Sequence, residues 1–284
     1  MKLQISMMMV LLALSVTAAE KPKVKPEVPG GLVSHYSFDT TEEGGWTPCA
    51  IDTNFNAKVS SVRWATAWNK SGYMLNGVSS KIVVKDHKRL KSPRFTISIH
   101  FKTYKVKEEK RIFLNKGLYK GYVFSILGSN DEQGINHGKL CFEIQGTRCL
   151  SDKSLADNAW YNAIITVDEK VARMYIDGKK QKSEALLKKH FTPVPDDLVV
   201  GMHANKFTEK GKKKTRGFEG SVDELMFFNR ALTPKEAGDL FYCSIPHYSK
   251  KSVQWRIRDL DELLERKLIT EDFRSRKLKE LNTD

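Results

Sequence analysis

The chain has 284 residues, of which 40% are hydrophobic and 29% are charged, and it carries a formal net charge of +14 at pH 7. This length suits one large β-rich domain with a small appendage, and a domain of that size buries its core without disulfide or metal staples. Beyond the first residues no stretch approaches the ~18–20 consecutive apolar residues of a membrane-spanning helix, so the composition argues against an integral membrane protein.

The N-terminus has the pattern of a secretory signal peptide over residues 1–19. Lys2 precedes an apolar run from Met7 to Val16, and small residues follow that run. An uncleaved anchor is the alternative, although the run is short for a membrane span. Residues 20–30 form a spacer rich in proline and lysine. We expect an exported protein, periplasmic or extracellular, whose positive charge favours anionic polysaccharides or cell surfaces over nucleic acid.

The segment Phe218–Phe241 predicts a strand, a turn and a short helix in succession. Thr233 is a good N-cap, Pro234 occupies the first helical position, and Glu236 completes a capping box. In the preceding strand the alternation of apolar residues slips by one position at Asp223-Glu224. A slip of one residue reverses the faces of a strand, so the pattern predicts a β-bulge there.

Alternating apolar and polar residues predict many further short strands. In the best example Phe95, Ile97, Ile99 and Phe101 point one way and the polar residues between them point the other. Residues 40–67, in contrast, show little regular pattern. The turn signals and the near absence of helix favour an all-β sandwich with jelly-roll connections. The other predicted strands are Leu32–Phe38, a glycine-rich stretch within Asn69–Asp86, Arg111–Gly117, Gly121–Leu127, Lys139–Ile144, Thr147–Leu150, Asn162–Val167, Arg173–Ile176 and Leu198–Gly201.

Four segments resemble the laminin-G-like domains of the concanavalin A-like lectin/glucanase class. They are LVSHYSFD, PRFTISIHFKT, NAWYNAIITVDEKVARMYIDGKK with its Asp-Gly turn, and FEGSVDELMFFNRALTPKEAGDLF. The matches occur in the family's order and span most of the mature chain. This resemblance implies an all-β, concanavalin A-like jelly-roll sandwich over residues 31–247, with its first and last strands adjacent. One such architecture hosts many functions, so the function must be argued from a site.

Residues 253–284 have a different, helical character. Apolar residues form one stripe between Trp255 and Leu268, and a second helix is predicted from Thr270 to Leu281, capped by Thr270. LDELLERKLITEDFRSRKLKEL is similar to the two-helix SHOCT motif, which implies docking or self-association. A hairpin this small cannot bury enough apolar surface alone. We expect it to pack on the sandwich, on a second copy, or on a protein partner.

The four cysteines are even in number and lie in a chain expected to be exported, which favours disulfides. Cys141 and Cys149 flank two short strands around Gly146, so we predict that they pair. Cys49 would then pair with Cys243, because the resemblance places the first and last strands side by side. Buried thiols are the alternative.

Asp39 and Asp223 are the candidate metal ligands. If strand 1 runs antiparallel to the closing strand, both lie near the same rim of the sandwich, and laminin-G-like relatives often bind calcium at a rim. Two carboxylates with nearby carbonyl oxygens are suitable ligands for a structural calcium ion. The alternative is that Asp223 accepts hydrogen bonds from backbone N–H groups at the bulge.

Two groups of side chains are candidate carbohydrate-binding residues. Trp64 and Trp68, with Trp46, lie in the irregular early region, where exposed indoles can stack on sugar rings; burial beneath a loop is the alternative. Trp160 leads a strand and is assigned to the core. A basic cluster within Lys206–Phe218 would attract sulfate or carboxylate groups, and a solvated charge run is its alternative. The members of the cluster that are expected to bind the ligand are Lys210, Lys212, Lys213, Lys214 and Arg216.

The sequence contains no recognisable catalytic pattern. Glu219, Asp223 and Glu224 lack the alternate spacing by which related glycosidases place an acid and a nucleophile on one strand face. No histidine pair has metalloenzyme spacing, and no Gly-x-Ser-x-Gly elbow occurs. The sequence therefore favours non-catalytic carbohydrate binding. A protein-interaction or adhesion module assembled through residues 253–284 is the first alternative, and a glycan hydrolase or lyase with an unrecognised site is the second.

Overall fold

A computed structural model gives the fold of the chain. It describes residues 27–104, 111–117, 120–129, 135–202, 207–209, 212–214, 217–244, 260–261, 264–265 and 270–281. The predicted signal peptide, Lys210, Arg216 and most of the first C-terminal helix lie outside these ranges. Within them, no helix is long and apolar enough to cross a membrane.

The described residues form eighteen strands and two α-helices, together with short 3-10 turns and helical residues at 260–261 and 264–265. The strands are β1 Leu32–Tyr36, β2 Trp46–Thr47, β3 Ala57–Ser60, β4 Arg63–Thr66, β5 Ser71–Asn76, β6 Lys81–Val84, β7 Phe95–Thr103, β8 Arg111–Lys116, β9 Tyr122–Ile126, β10 Leu140–Ile144, β11 Thr147–Leu150, β12 Trp160–Val167, β13 Val171–Ile176, β14 Lys179–Leu186, β15 Leu198–Val200, β16 Phe207–Glu209, β17 Lys212–Lys214 and β18 Glu219–Phe228. The helices are α1 Pro234–Ser244 and α2 Glu271–Leu281.

Two antiparallel sheets of eight strands each build a sandwich. The first sheet has the order β14-β13-β12-β7-β18-β5-β4, with β1 also paired to β18, and the second has the order β11-β10-β9-β8-β15-β6-β3-β2. This arrangement confirms the predicted all-β jelly-roll sandwich and the adjacency of its first and last strands. It also adds the short strands β2, β3 and β4 in the region that the sequence predicted to be irregular, together with β14, β16 and β17, which were not predicted.

The main core lies between the two sheets, as the alternation in β7 predicts. Phe95, Ile97, Ile99 and Phe101 are all buried there. Phe95 stacks on Phe227 of β18 with ring centroids 5.6 Å apart. Each such fully buried side chain contributes roughly 1.5–3 kcal/mol relative to an exposed position. The inner face of β7 therefore anchors the sandwich.

The predicted bulge in β18 is confirmed. Pairing of β18 with β7 shifts register between Asp223 and Met226, and Glu224 has a φ of 51° in the left-handed region. The bulge divides β18 into two parts. Its first part pairs with β5, and its second part pairs with β1. Strands β5 and β1 therefore pair with different parts of the one long strand β18.

The capping box at the start of α1 is also confirmed. Thr233 Oγ1 accepts the N–H of Glu236 at 3.2 Å, and Glu236 Oε2 accepts the N–H of Thr233 at 2.8 Å. Arg230 donates two further hydrogen bonds to the Glu236 carboxylate. These bonds, led by those from Arg230, lower the pKa of Glu236 to about 2. The helix start is thus fixed by side chains adjacent to it in sequence.

Both described helices lie on the outer face of the first sheet. Ala237 and Leu240 of α1 pack on Ile164 and Tyr175, whose side chains leave the sheet on the side opposite to the main core. The C-terminal segment covers the neighbouring part of the same face. Its residues Leu260, Phe273, Leu264 and Leu278 contact Ala67, Trp68, Trp160 and Phe241. The sequence left three possible packing surfaces for this segment: the sandwich, a second copy or a protein partner. The described helical residues pack on the sandwich.

The predicted Cys141–Cys149 disulfide is not formed. Cys141 is paired across the hairpin with Leu150, whereas Cys149 is paired with Phe142. Paired residues share a sheet face and consecutive residues do not, so the two cysteine side chains leave opposite faces. Burial raises the pKa of the Cys149 thiol to about 12, with a further contribution from Cys141.

The predicted Cys49–Cys243 disulfide is not formed either. Cys49 is buried between the two sheets, in the main core. Cys243 belongs to α1, which packs on the outer face of the first sheet. The first sheet therefore separates the two sulfurs, although the first and last strands are neighbours as predicted.

Candidate functional site

The exposed aromatic surface of the sandwich is concentrated in its early strands. Trp64 lies on β4, the edge strand of the first sheet, and 54% of its surface is exposed. Its cross-strand partner is Tyr73, which is buried. Because paired residues share a face, the Trp64 indole lies on the core side of the sheet but beyond the point where the core is covered. The indole is therefore available to a ligand at an open edge of the sandwich.

A shallow depression lies beside Trp64, between the edges of the two sheets. Its volume is about 450 Å³, and its walls contain hydroxyl and apolar groups. The residues that line it are Thr41, Val59, Ser60, Ser61, Val62, Trp64 and Tyr73. We call this depression the Trp64 edge site.

Hydrogen bonds fix the walls of the Trp64 edge site. The Tyr73 hydroxyl lies 2.6 Å from Thr41 Oγ1 and donates to the carbonyl of Thr40 at 3.2 Å. Ser61 has a φ of 54°, and its carbonyl accepts a hydrogen bond from the Ser80 hydroxyl. An indole held beside hydroxyl groups can stack on the C–H face of a sugar ring while those hydroxyls bond to the sugar.

Trp46 is a second exposed indole, 37% accessible, on the short edge strand β2 of the second sheet. The Lys58 ammonium lies 4.9 Å from the centre of its ring. Trp46 does not line the Trp64 edge site. It therefore provides an exposed tryptophan outside the depression.

Trp68, which the sequence predicted to bind sugar, is buried instead, with 7% of its surface exposed. Its ring stacks on His100 with centroids 5.0 Å apart and forms a T-shaped contact with Phe273 at 5.7 Å. Its indole N–H donates to the Ser244 carbonyl at 2.8 Å. The ring and its polar atom are thus both used within the protein, so Trp68 is a packing residue. Trp160 is buried, as predicted.

The basic cluster is only partly within the described residues. Lys212, Lys213 and Lys214 form β17, which pairs antiparallel with β16 in a separate two-stranded ribbon. Lys210 and Arg216 lie outside the described ranges. Binding of sulfate or carboxylate groups by this cluster remains a prediction.

Asp39 and Asp223 both accept backbone N–H groups of the turn before β5, and Asp223 is fully buried within β18. Asp223 Oδ2 accepts the N–H of Asn69 at 2.8 Å, and Oδ1 accepts the N–H of Glu224 at 2.9 Å. Asp39 Oδ1 accepts the N–H of Ser71 at 3.2 Å. Burial, followed by the neighbouring charges of Glu224 and Asp39, raises the pKa of Asp223 well above its ordinary value.

These bonds leave little of the Asp223 carboxylate available to a cation. Among the described residues, no group of three or more His, Cys, Asp or Glu side chains is arranged to hold a metal ion. Ligation of calcium by Asp39 and Asp223 remains a prediction.

A polar network that the sequence did not predict lies under the helices, on the outer face of the first sheet. Glu224 Oε2 lies 2.5 Å from His35 Nε2, and Glu224 Oε1 accepts from Asn69 Nδ2 at 3.0 Å. His100 Nε2 lies 3.1 Å from the Ser244 hydroxyl. Burial lowers the pKa of His100 to about 3, so this ring is neutral near pH 7. Glu224 and His100 are buried, whereas His35 and Asn69 are partly exposed at the border of the network.

A family model matches residues 76–238, more than half of the chain, and it describes the concanavalin A-like lectin/glucanases superfamily. The chain belongs to this superfamily. The match covers the strands from the β5–β6 turn to the start of α1 and does not reach the C-terminal helices. The SHOCT resemblance of those helices therefore remains a prediction. No curated protein matches the chain.

Solved structures share the sandwich of this superfamily member at low sequence identity. Domain 4 of AbnA, a GH43 extracellular arabinanase from Geobacillus stearothermophilus, is 20% identical with a TM-score of 0.56, and the alignment covers 74% of this chain and 97% of that domain. The binding domain of Paraclostridial Mosquitocidal Protein 1 is 18% identical with a TM-score of 0.58, over 74% of this chain and 52% of that one.

The Trypanosoma rangeli sialidase is similar over a smaller part of its length. It is 15% identical with a TM-score of 0.53, and the alignment covers 76% of this chain but 33% of the sialidase. The chain thus spans about half of the mosquitocidal binding domain and a third of the sialidase. At these identities the likeness shows the fold alone.

Proposed function

We propose that this protein is a non-catalytic carbohydrate-binding protein whose ligand stacks on Trp64. The observation that carries the proposal is the exposed Trp64 indole on an edge strand, beside the hydroxyl-lined depression of about 450 Å³. A sugar ring presents both an apolar C–H face and hydroxyl groups, and the Trp64 edge site offers a partner for each. Thr41, Ser60 and Ser61 are the wall residues with hydroxyl groups.

The structural neighbours support a saccharide as the ligand class. Domain 4 of the G. stearothermophilus arabinanase was solved in complex with arabinotriose, and the alignment covers nearly all of that domain. The T. rangeli sialidase was solved in complex with sialic acid. Both proteins act on or bind sugars, and both contain the sandwich that this chain forms.

Export and an anionic ligand belong to the same proposal. Residues 1–19 have the signal-peptide pattern, and the arabinanase with the similar domain is extracellular. The formal net charge of +14 favours polysaccharides that contain carboxylate or sulfate groups. We therefore propose binding to a polysaccharide outside the cytoplasm, with acidic polysaccharides preferred.

The lining of the Trp64 edge site supports binding over hydrolysis. Hydrolysis of glycosidic bonds ordinarily requires two carboxyl groups about 5–10 Å apart beside the bond. The described residues that line this depression contain hydroxyl, apolar and aromatic groups and no carboxylate. The protein-assembly alternative has weaker support, because Leu260 and Phe273 of the C-terminal segment are packed on the sandwich.

The test is binding of the full mature chain to a panel of neutral, uronic, sialylated and sulfated saccharides, at low and at about 150 mM salt. We expect saturable binding that survives the higher salt and weakens at least tenfold, about 1.4 kcal/mol, in Trp64→Ala. Trp46→Ala is the matched control, because it removes an exposed indole outside the depression. Binding to polyanions at low salt alone, or equal losses in the two variants, would refute the proposal.

A further inference from the structure

A second cavity lies at the seam between the sandwich and the C-terminal helix. Its volume is about 450 Å³, and it opens between the loop after β11, the turn between β13 and β14, and the first turns of α2. We call it the seam pocket. The residues that matter for its chemistry are Lys153, Tyr161, Asp177, Lys179, Asp272 and Arg276. Because Asp272 and Arg276 belong to α2, the pocket is complete only when α2 is docked.

Hydrogen bonds within the sandwich make the floor of the seam pocket rigid. The N–H of Asp152 donates to Gln181 Oε1 at 2.8 Å, and Asp152 Oδ1 accepts the N–H of Lys182 at 2.8 Å. The Tyr161 hydroxyl oxygen accepts the N–H of Ala156 at 2.8 Å. The Tyr161 O–H proton can therefore be donated to a ligand, since the N–H occupies only an acceptor position of this hydroxyl.

The acidic groups of the pocket leave acceptor positions for hydroxyl groups. Asp177 is largely buried, with 13% of its side chain exposed, and its Oδ1 accepts the N–H of Asn162 at 2.9 Å. Its Oδ2 lies 3.8 Å from Arg276 Nη2, beyond hydrogen-bond distance. Arg276 Nε lies 3.6 Å from Asp272 Oδ2. The guanidinium is thus held between two carboxylates at ion-pair distances that leave its N–H groups able to donate to a ligand.

The basic groups of the pocket supply the opposite charge. Lys153 and Lys179 are both exposed, and among the described residues neither has a salt-bridge partner. Asp177 and Asp272 would repel a ligand that is negatively charged throughout. A neutral ligand would form no ion pair with Lys153 or Lys179. A ligand with one carboxylate per ring and several hydroxyl groups satisfies both sets of charges.

We propose that the seam pocket is a second binding site, for a saccharide that contains uronic acid. Lys153 and Lys179 pair with the ligand carboxylate, while Asp177, Tyr161 and Arg276 bond to its hydroxyl groups. Docking of α2 completes the site by adding Arg276. This inference takes its ligand class from the proposed carbohydrate binding, but its location is independent of Trp64.

The test is isothermal titration of the full mature chain with trigalacturonic acid, and with its neutral methyl ester, at about 150 mM salt. We expect the acid to bind and the ester to bind at least tenfold more weakly. The double variant Lys153→Ala/Lys179→Ala should lose at least tenfold in affinity for the acid. The matched control Lys188→Ala/Lys189→Ala removes the same charge from exposed positions outside the pocket and should stay within about twofold.

The outcomes separate the two proposals. Equal losses in the two double variants, no loss in either, or no binding of the acid by the wild type would overturn the seam-pocket inference. Trp64→Ala should keep the part of the trigalacturonic acid binding that Lys153→Ala/Lys179→Ala removes, and loss of that part in Trp64→Ala would also overturn the inference. The proposed function fails instead if Trp64→Ala leaves every saccharide interaction intact.

Discussion

Phe273 of the C-terminal helix forms a T-shaped contact with Trp68, with ring centroids 5.7 Å apart and the ring planes at 82°. The same indole also stacks on His100 of β7, with ring centroids 5.0 Å apart. A residue near the end of the chain is thus connected, through one indole, to a central strand of the first sheet. The helix is part of the same folded unit as the sandwich.

Replacing Phe273 by alanine should release α2 from the sheet. Truncation of a buried phenylalanine costs about 3–5 kcal/mol, but undocking of the helix limits the loss in the sandwich itself. We expect the backbone amides of α2 to exchange with deuterium at least tenfold faster, while those of β7 and β18 keep most of their protection. Leu186→Ala, at an exposed position, is the control. Unchanged protection of α2 would show that Phe273 does not hold the helix.

The two tryptophans of the early region should differ sharply in their effect on stability. Trp68→Ala removes a buried indole that packs on His100 and Phe273, so we expect the free energy of unfolding to fall by about 3–5 kcal/mol. Trp64→Ala removes an exposed side chain and should change it by less than about 0.5 kcal/mol. Urea unfolding followed by circular dichroism measures both. A large loss in Trp64→Ala would place that indole in the core.

Asp223 should be important for stability because of the backbone groups it satisfies. Asp223→Ala leaves the N–H groups of Asn69 and Glu224 without their acceptors, and each unmade bond of this kind costs about 1–3 kcal/mol. We expect the free energy of unfolding in urea to fall by about 2–5 kcal/mol, and by less in Asp223→Asn, which keeps one acceptor oxygen. Glu169→Ala, which breaks only an exposed ion pair with Arg94, is the control. If Asp223→Ala loses no more free energy of unfolding than this control, Asp223 does not stabilise the fold through these backbone N–H groups.

Asp177 should make the protein more stable at mildly acidic pH. Burial raises the pKa of Asp177 to about 6, although the N–H of Asn162 and the charges of Arg276 and Lys179 lower it in part. The folded state therefore binds a proton more readily than the unfolded state, where an aspartate has a pKa of about 3.9. The stabilising contribution is complete below about pH 4 and disappears as the pH rises through about 6.

The comparison that isolates this effect is wild type against Asp177→Asn. Between pH values of about 8 and 4.5, the free energy of unfolding of the wild type should rise relative to the variant by about 2–3 kcal/mol. Thermal unfolding across this range measures the difference. A constant difference between the two proteins would mean that Asp177 titrates normally.

Local chemistry made several elements of this fold predictable. Thr233 and Glu236 are close in sequence, so their capping box requires no knowledge of the tertiary structure. The same holds for the turn at Asp177-Gly178, where both residues have positive φ values of 49° and 72°. The alternation over residues 95–102 predicted which residues face the core, because Phe95, Ile97, Ile99 and Phe101 make one side of that segment entirely apolar.

Features that depend on distant segments were not predictable. His100 alternates with the apolar residues of β7 and was predicted to point outward, but the sequence does not show that Trp68 and Ser244 cover it. The spacing of Trp64 and Trp68 likewise does not reveal that one lies at an edge and the other under a helix. The even number of cysteines carries no information on strand register, and a one-residue offset places Cys141 and Cys149 on opposite faces.

The most direct test of carbohydrate binding at Trp64 is an NMR titration of the tryptophan indole N–H signals. The chain has five tryptophans, so the signals can be assigned by single substitutions and followed while a saccharide from the binding panel is added. We predict that the Trp64 signal shifts in a saturable manner and that the buried Trp68 and Trp160 signals stay in place. Saturable binding that leaves the Trp64 signal unmoved would contradict the proposed site.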